Sequence, residues 1–270
     1  MRIRASWEKL GLQKRQPKLA VIQVGNDPAS SIYVRNKLKA CHACGFLAQH
    51  FHLDSQSSTS NVADTIQSLN EDTNIDGIIL QLPLPEHLNA KRLLPLISPD
   101  KDVDAITPYH LGALTSANPT LLPCTVQATM LVLDSVVPDI AGMHAVVIGA
   151  STIVGKPISL QLLHANATVT ICHKHTKNLA RIISDADIII SACGHPGVLT
   201  ASDLPSRAIV IDIGITRVDN RVVGDIYTPD VAEKVQAITP VPGGIGPVTV
   251  SCMIHNLFSL YLSHTNQICK

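Results

Sequence analysis

The chain of 270 residues has little charge: charged residues make up 16% of the sequence, and the formal net charge is zero. Without a basic excess, general binding to nucleic acid or another polyanion is not expected. No apolar run approaches the length of a membrane span, and the basic start lacks the apolar stretch of a signal peptide. We therefore expect no nucleic-acid and no membrane partner. Apolar residues make up 46%, which allows a large core in one or two domains.

The seven cysteines show neither a disulfide framework nor a metal-binding set. They are scattered through segments typical of helices and strands, which favours a reducing, cytoplasmic location. Cys41 and Cys44 form a C-x-x-C pair, but no two further ligands follow at zinc spacing and no thioredoxin-like strand precedes it. A metal or redox site is the weaker interpretation of this pair, and burial near a helix end is the simpler one. We expect no metal site.

Apolar runs alternate with helix-period stretches along most of the chain, which predicts an α/β fold with mostly parallel sheets. Strands are predicted over Leu19–Val24, Phe46–Leu53, Ile75–Leu82, Ala145–Gly149, Thr168–Cys172, Asp187–Ala192 and Ile209–Ile213. Helices are predicted over Ser30–Cys44 and Thr59–Leu69, from near Val154 and Asn178, and over Val248–Ser263. The alternation breaks at Leu114–Thr125, where we expect a domain boundary.

A loop rich in proline and glycine lies just before the last helix, in TPVPGGIGPVTV. Glycine supplies backbone geometries that other residues avoid, and proline fixes φ and removes a donor. Such a loop packs a core poorly, so its expected role is to shape a site.

The segment VVIGASTIVGKP predicts a strand, a turn and a helix whose N-terminus can hold a pyrophosphate. Its match to G-x-G-x-x-G is imperfect, because Ser151 replaces the second glycine and Gly155 comes one residue late. A P-loop fits worse, since Pro157 stands where Ser or Thr must bind magnesium. Dinucleotide binding is the preferred interpretation, and a tight turn between a buried strand and helix is the alternative.

The next strand ends in ICHKHTKN, which has no carboxylate. Dinucleotide folds that bind NAD usually carry Asp or Glu here for the ribose 2′-hydroxyl. His173, Lys174, His175 and Lys177 suit a 2′-phosphate instead, so NADP is favoured over NAD. A solvated basic turn is the alternative.

Polar residues also mark the first half of the chain. Tyr33 and Lys37 lie four residues apart on one helix face, while Arg35 and Lys39 point elsewhere. Gln81 ends a buried strand, at the edge where parallel sheets bind ligands, and Asp104 follows the turn-rich PDKD. Each residue taken alone is more often structural.

Together these segments resemble the bifunctional methylenetetrahydrofolate dehydrogenase/methenyltetrahydrofolate cyclohydrolases. The matching pieces, in the family's order and covering nearly the whole chain from Leu19 onward, are VGNDPASSIYVRNK, DGIILQLPLP, PDKDVDA, LPCT, VVIGASTIVGKP, VIDIGI, VVGDI and TPVPGGIGPVTV. The resemblance implies an N-terminal α/β folate-binding catalytic domain (residues 1–122, with the C-terminal helix 249–270 packing back on it) and a C-terminal Rossmann-like NADP-binding domain (123–248). It also implies a folate cleft between them and a homodimer joined through the Rossmann domains.

The resemblance further implies the roles of individual residues. Lys37, Tyr33 and Gln81 are expected to be catalytic, and the expected substrate-binding residues are Asp104, Tyr33, Pro242, Gly243 and Gly244. The expected NADP-binding residues are Gly149, Ala150, Ser151, Ile153, Val154, Gly155, His173, Lys174, His175, Thr176, Cys193, Gly194 and Ile215. As a partly desolvated lysine beside a cation, Lys37 is expected to act uncharged, as the base or water-orienting group of the hydrolysis.

The sequence departs from the family at a few positions. Ala105 replaces the usual glycine after Asp104, and the family's P-C-T-P-x-G becomes PCTVQA, with Val126 and Ala128. These changes are expected to alter loop geometry. The segment before Leu19 is also shorter than usual, so we expect either that the chain starts late or that the edge of the catalytic domain is trimmed. Two alternatives stay open: another two-domain NADP-dependent dehydrogenase of the shikimate or amino-acid type, or a folate-binding protein lacking one or both activities.

Overall fold

The computed structural model describes residues 15–219, 221–226 and 228–265. The chain forms two compact units, one made of Met1–Leu111 with Val250–Lys270 and the other of Gly112–Thr249. Both contain parallel sheets with helices, so the predicted α/β class is confirmed. The basic start and the expected trimmed edge before Leu19 fall largely in residues 1–14, which lie outside the described residues.

The first unit contains a three-stranded parallel sheet with the strand order β2-β1-β3. Its helices and strands are β1 (Lys18–Val24), α1 (Pro28–Ala43), β2 (Leu47–Leu53), α2 (Thr59–Glu71), β3 (Gly77–Leu80) and α3 (Ala90–Leu93). Short 3₁₀ turns follow at Leu94–Leu96 and Pro99–Lys101, and then α4 (Pro108–Thr115). The central strand β1 is buried from Leu19 to Val24, as its apolar run predicts.

Helix α2 shows how the core of this unit forms. Val62, Ile66 and Leu69 repeat at helical spacing and are all buried, in one cluster with Ile22 and Ile78 of the sheet. The Ser58 hydroxyl caps the helix by accepting from the Asn61 N–H at 3.1 Å. The helix therefore begins at Thr59, as the sequence predicts.

The second unit contains a five-stranded parallel sheet with the order β10-β7-β6-β4-β5. Its elements are α5 (Cys124–Val136), β4 (His144–Ile148), α6 (Gly155–His164), β5 (Thr168–Cys172), α7 (Leu179–Ile183), β6 (Ile188–Ser191), β7 (Ile209–Asp212), β8 (Thr216–Val218), β9 (Arg221–Val223), α8 (Thr228–Ala232) and β10 (Ala237–Ile238). Strands β6 and β7 are buried along their whole length, which explains their continuous apolar sequences.

All seven predicted strands are present, but several end earlier than predicted. The prediction of Ile75–Leu82 is too long, because pairing with β1 covers only Gly77–Leu80. The three short strands β8, β9 and β10 were not predicted; they span two or three residues and carry no periodic signal.

The last helix, α9 (Ile245–His264), begins three residues before its predicted start. Proline is tolerated in a first helical turn, so Pro247 does not delay it. With 20 residues and a mean hydropathy of 1.3, α9 is long and apolar enough to cross a membrane by composition alone. However, Met253, Leu257 and Tyr261 are buried at helical spacing, as in a core helix. Its end is held by the buried Asp76, which pairs with His264 at 3.2 Å and with Arg15 at 2.6 Å.

Candidate functional site

Three polar side chains from separate elements meet in the first unit. Lys37 Nζ lies 3.3 Å from Gln81 Oε1 and 3.7 Å from Asp104 Oδ2. The side chains of Lys37 and Asp104 are 12% and 25% exposed, so both reach solvent only partly. The amine of Lys37, the amide of Gln81 and the carboxylate of Asp104 thus form one polar cluster, which we call the Lys37 cluster. None of the three residues taken alone indicates such a cluster.

Helix α1 places Lys37 in this cluster. The helix starts with Pro28 and is capped by Asp27, whose carboxylate accepts from the Ser30 N–H at 2.7 Å. Tyr33 lies one turn before Lys37 and is half-buried, and burial raises the pKa of its phenol. Arg35 and Lys39 are exposed, as predicted for ordinary surface charges.

The carboxyl end of β3 places Gln81. The Gln81 N–H donates to Ile22 O at 2.8 Å, which extends the pairing with β1 by one residue. Its side-chain Nε2 donates to Leu82 O at 2.7 Å, so the amide is oriented with Oε1 toward Lys37. The parallel sheet therefore presents an acceptor at its carboxyl edge, where ligands bind in such sheets.

Asp104 follows a buried carboxylate, Asp102, that sequence reasoning missed. Burial raises the pKa of Asp102, opposed by hydrogen bonds from Thr107, whose N–H donates at 2.8 Å. Ala105 has φ 52°, in the left-handed region, and is fully buried. Glycine adopts this conformation without strain and alanine adopts it at a cost, while the alanine adds only a methyl group to the segment.

The other two departures do not lie in a loop. Val126 and Ala128 are fully buried inside helix α5 of the second unit. The expectation that they alter loop geometry is therefore wrong: they fill space in a helix packing face.

In the second unit, the turn after β4 brings backbone atoms unusually close together. Gly149 has φ 124°, and a Cβ there would meet Ala192 O at 2.4 Å. A Cβ on Gly155, the first residue of α6, would lie 1.9 Å from Gly149 O. Ser151 Oγ accepts from the N–H groups of Val154 and Gly155, both at 3.2 Å. The Ser151 hydroxyl therefore pairs with two N–H groups of the turn that leads into α6.

A cavity of about 630 Å³ opens beside this turn. Of the predicted cofactor residues, it is lined by Gly149, Ala150, Ser151, His173, Lys174, Thr176 and Cys193. Its lining does not include Ile153, Val154, Gly155, His175, Gly194 or Ile215. It does include residues that were not predicted, among them Cys172, Leu179, His195 and Val198.

The basic turn after β5 is folded back on itself. The His173 N–H donates to Thr176 Oγ1 at 2.9 Å, and the His175 N–H donates to His173 Nδ1 at 3.2 Å. Lys174 lines the cavity while His175 does not. Of the four basic residues of this turn, His173 and Lys174 line the cavity.

A second missed carboxylate, Asp225, organises the other wall of the cavity. It is fully buried and accepts from the N–H groups of Cys193 at 2.9 Å, Gly194 at 3.2 Å and His195 at 2.8 Å. The Asp212 carboxylate likewise accepts from backbone N–H groups, those of Gly214, Asp225 and Ile226. Burial raises the pKa of Asp212 to about 6, although these hydrogen bonds oppose the shift. In the sequence, the only indication of these two carboxylates was the acidic residue within each of the segments VIDIGI and VVGDI.

The proline- and glycine-rich loop also adopts special backbone geometry. Gly243 has φ 107°, and a Cβ on Gly244 would lie 2.5 Å from Pro240 O. Gly243 and Gly244 line an apolar cavity of about 340 Å³ together with Val132, Ile238 and Val248, whereas Pro242 does not.

Among the described residues, no group of three His, Cys, Asp or Glu side chains could hold a metal ion. Cys41 is fully buried, and burial raises the pKa of its thiol to about 12. Cys44 caps the end of α1. This environment agrees with the interpretation of the C-x-x-C pair as a helix-end packing feature.

A parallel five-stranded sheet, a glycine-lined turn into a helix and an adjacent cavity define the class of dinucleotide-binding α/β enzymes. Within that class, the family described as tetrahydrofolate dehydrogenase/cyclohydrolase matches both parts of the chain. Its catalytic domain matches residues 1–104 and its NAD(P)-binding domain matches residues 123–265. The chain therefore belongs to the tetrahydrofolate dehydrogenase/cyclohydrolase family, and it is a methylenetetrahydrofolate dehydrogenase and cyclohydrolase.

Solved structures agree with this assignment. The bifunctional dehydrogenase/cyclohydrolase FolD of Campylobacter jejuni is 38% identical, with a TM-score of 0.92 over 99% of this chain and 94% of that one. The Trypanosoma brucei enzyme, solved with NADP and an inhibitor, is 34% identical, with a TM-score of 0.92 over 98% of this chain and 93% of that one.

A more distant likeness accounts for the alternative dehydrogenase. Shikimate 5-dehydrogenase from Thermus thermophilus is 14% identical, with a TM-score of 0.56 over 92% of this chain and 93% of that one. At this identity the likeness shows a shared fold alone. The shikimate alternative is thus not favoured, since the family match covers both units.

Proposed function

We propose that the enzyme oxidises 5,10-methylenetetrahydrofolate to 5,10-methenyltetrahydrofolate with NADP and hydrolyses the product to 10-formyltetrahydrofolate through the Lys37 cluster. The observation that carries this assignment of roles is the convergence of Lys37, Gln81 and Asp104. In this assignment, residues 1–122 with 249–270 form the folate-binding catalytic domain, and residues 123–248 form the NADP-binding domain.

Asp104 recognises the pterin. Its carboxylate is partly exposed and is the acidic member of the cluster, so it can accept hydrogen bonds from the amino edge of the ring. In the free protein Asp104 faces the Lys37 amine at 3.7 Å. When the pterin is bound, it forms hydrogen bonds with the Asp104 carboxylate. Lys37 then lies beside a ligand that becomes a cation during the reaction.

Lys37 serves the hydrolytic step as its base. Water adds to the methenyl carbon of the cation, and the Lys37 amine takes one proton from that water. The bond from the carbon to N5 then breaks as the remaining hydroxyl proton is transferred to N5, which leaves the formyl group on N10. Gln81 orients the amine through its Oε1 atom, 3.3 Å away. Tyr33, half-buried one turn earlier, is neutral and lines the same face of α1.

The second unit holds the dinucleotide. The Gly149 turn allows close approach of a pyrophosphate to backbone N–H groups, and Ala150, Ser151, Ile153, Val154 and Gly155 form that turn. Lys174 binds the 2′-phosphate, supported by His173 and Thr176, and Cys193 lines the same cavity. His175, Gly194 and Ile215 do not line that cavity, and their assignment to the cofactor rests on the family resemblance alone. When bound, NADP accepts the hydride from the one-carbon unit, a step governed by positioning more than by proton transfer. Pro242, Gly243 and Gly244 provide the backbone that approaches the substrate.

The test of these roles is Lys37→Met, compared with Lys39→Met on the same helix. Loss of the base should lower the cyclohydrolase rate by a factor of about 10² to 10⁴, and hydride transfer should persist because it needs no proton transfer. The measurement follows methenyltetrahydrofolate absorbance, which should accumulate in Lys37→Met. Lys39 is exposed, so its variant should behave like the wild type. A wild-type cyclohydrolase rate in Lys37→Met would remove Lys37 from the mechanism.

We also propose that the enzyme works as a cytoplasmic homodimer and provides one-carbon units for purine and amino-acid biosynthesis. The support is the family assignment and the free thiols of the described cysteines, which suit a reducing compartment. Sedimentation of the purified protein tests the dimer.

A further inference from the structure

Asp104 lies in a short segment, Lys101–Ala105, that is held in place from several sides. Beyond the 3₁₀ turn ending at Lys101, its regular backbone pairing is one bridge between Asp102 and Ile78 of β3. The same strand leads to Gln81. The position of Asp104 relative to the rest of the Lys37 cluster therefore depends on what fixes this segment.

Lys101 anchors the start of the segment. Its side chain is buried, and Nζ donates to Leu69 O at 3.0 Å, Asn70 O at 2.7 Å and Asp72 O at 2.8 Å. Carbonyls at a helix C-terminus lack partners within the helix, and the helix dipole favours a cation there. Lys101 thus ties the segment to the end of α2.

Val103 anchors the middle of the segment. It is fully buried, and a Cβ on Gly77 would lie 2.1 Å from Val103 Cγ2, so the valine occupies the space above the glycine at the start of β3. The Leu257 side chain of α9 borders the same glycine at 2.9 Å from that Cβ position.

The carbonyl of Val103 is held by α9. Asn256 is fully buried, and its Nδ2 donates to Val103 O at 3.0 Å. This carbonyl belongs to the peptide group that joins Val103 to Asp104. A hydrogen bond on it fixes the orientation of that peptide plane, and with it the direction in which the Asp104 side chain leaves the backbone.

We propose that Asn256 is a positioning residue for pterin recognition: it orients the Val103–Asp104 peptide so that the Asp104 carboxylate faces the ligand beside Lys37. The inference rests on the proposed function of Asp104. A buried N–H donor costs free energy unless it is hydrogen-bonded, and the Asn256 Nδ2 makes such a bond at the peptide that leads into Asp104.

The decisive variant is Asn256→Leu, which keeps a similar volume and removes the donor. It should raise KM for methylenetetrahydrofolate about tenfold and leave kcat within about twofold, because the lost contact acts on binding that is equal in ground and transition states. Tyr261→Leu is the matched control: Tyr261 is buried on the same helix, next to Phe258 and Arg15. The control should lose stability without a change in KM.

Lys101→Met is the second variant, since it loosens the same segment at its other anchor and keeps the apolar part of the side chain. It should also raise KM with little change in kcat. Unchanged KM values in both variants, or KM and kcat changes equal to those of Tyr261→Leu, would overturn the proposal.

Asp104→Asn separates this inference from the function on which it rests. If Asp104 binds the pterin, Asp104→Asn should raise KM about 100-fold, by analogy with loss of a charge-assisted hydrogen bond. A normal KM in Asp104→Asn would reject the proposed role of Asp104 itself. A raised KM in Asp104→Asn with normal values in Asn256→Leu and Lys101→Met would reject only the positioning role.

Discussion

The two units build their sites by different means. In the first unit, side chains of three separate elements converge on one point, and the distances from Lys37 to Gln81 and Asp104 are 3.3 and 3.7 Å. In the second unit, the cavity lies beside the close backbone approach of Gly149 and Gly155 and beside a turn whose N–H groups donate to the buried Asp225 carboxylate. A side-chain site is most sensitive to the loss of functional groups, whereas a backbone site is most sensitive to added atoms.

The contrast follows from the tasks of the two sites. Hydrolysis needs one proton acceptor at a defined place, which only a side chain supplies. A pyrophosphate is large and charged, and it is bound by several N–H groups at once. Of all single substitutions, Lys37→Met is therefore expected to have the largest effect. It should lower the rate of the hydrolysis and leave hydride transfer in place.

The next largest effect is expected for Gly155→Ala in the second unit. The added Cβ would lie 1.9 Å from Gly149 O, and Gly149 is itself pressed against Ala192 O. The backbone must shift, which should cost about 3 kcal/mol of the free energy of unfolding. The same shift should raise the dissociation constant for NADP about 100-fold. Urea unfolding and dinucleotide titration measure the two quantities.

Gly112→Ala provides the matched control, because a Cβ at Gly112 meets nothing within 4 Å. Gly112 lies in α4, where alanine is the better helix former. If Gly155→Ala bound NADP as well as Gly112→Ala does, the close backbone approach would not be what forms the dinucleotide site.

A smaller effect, dependent on pH, is expected at Asp76 in the first unit. Burial alone would raise the pKa of Asp76, but hydrogen bonds from His264, Arg15 and the Lys18 N–H outweigh it and lower the pKa. A carboxyl group with a lowered folded-state pKa stabilises the fold above its unfolded pKa of about 3.9 and loses that contribution as pH falls through the folded-state value. Asp76→Asn should therefore cost about 3 kcal/mol at pH 7.

Urea unfolding at a series of pH values checks this prediction. The difference between wild type and Asp76→Asn should shrink as pH falls below about 4. Arg207→Met breaks the exposed Arg207–Asp187 pair of the second unit, with side chains 54% and 33% exposed, and should cost less than about 1 kcal/mol. A difference for Asp76→Asn that does not vary with pH would contradict the assigned cause.

The periodic spacing of apolar residues, together with the glycine and proline residues between the apolar runs, predicted the strands that form both sheets. The sequences of β1, β6 and β7 are apolar because these strands are buried. A continuous apolar run therefore indicates such a strand from the sequence alone. Residues at the ends of these strands could be nominated for a site because parallel sheets bind ligands at their carboxyl edge. Gln81 and the Gly149 turn were predicted in this way.

The supports of the sites were not predictable, because they depend on contacts between distant parts of the chain. Asn256 and Val103 are separated by 153 positions, and Asp225 holds a turn 30 to 32 residues away. A buried lysine such as Lys101 also looks like a surface charge in sequence, since its partners are backbone carbonyls. Nor does the sequence show that the Ser151 hydroxyl accepts from the N–H groups of Val154 and Gly155, because that depends on local geometry.

The central claim is that one chain transfers a hydride from methylenetetrahydrofolate to NADP and then hydrolyses the product. The most direct test mixes the purified protein with methylenetetrahydrofolate and either NADP or NAD, and follows the absorbance of the reduced nicotinamide and of methenyltetrahydrofolate. We expect faster reduction of NADP than of NAD, with 10-formyltetrahydrofolate as the final product. Reduction of neither dinucleotide, or a clear preference for NAD, would contradict it.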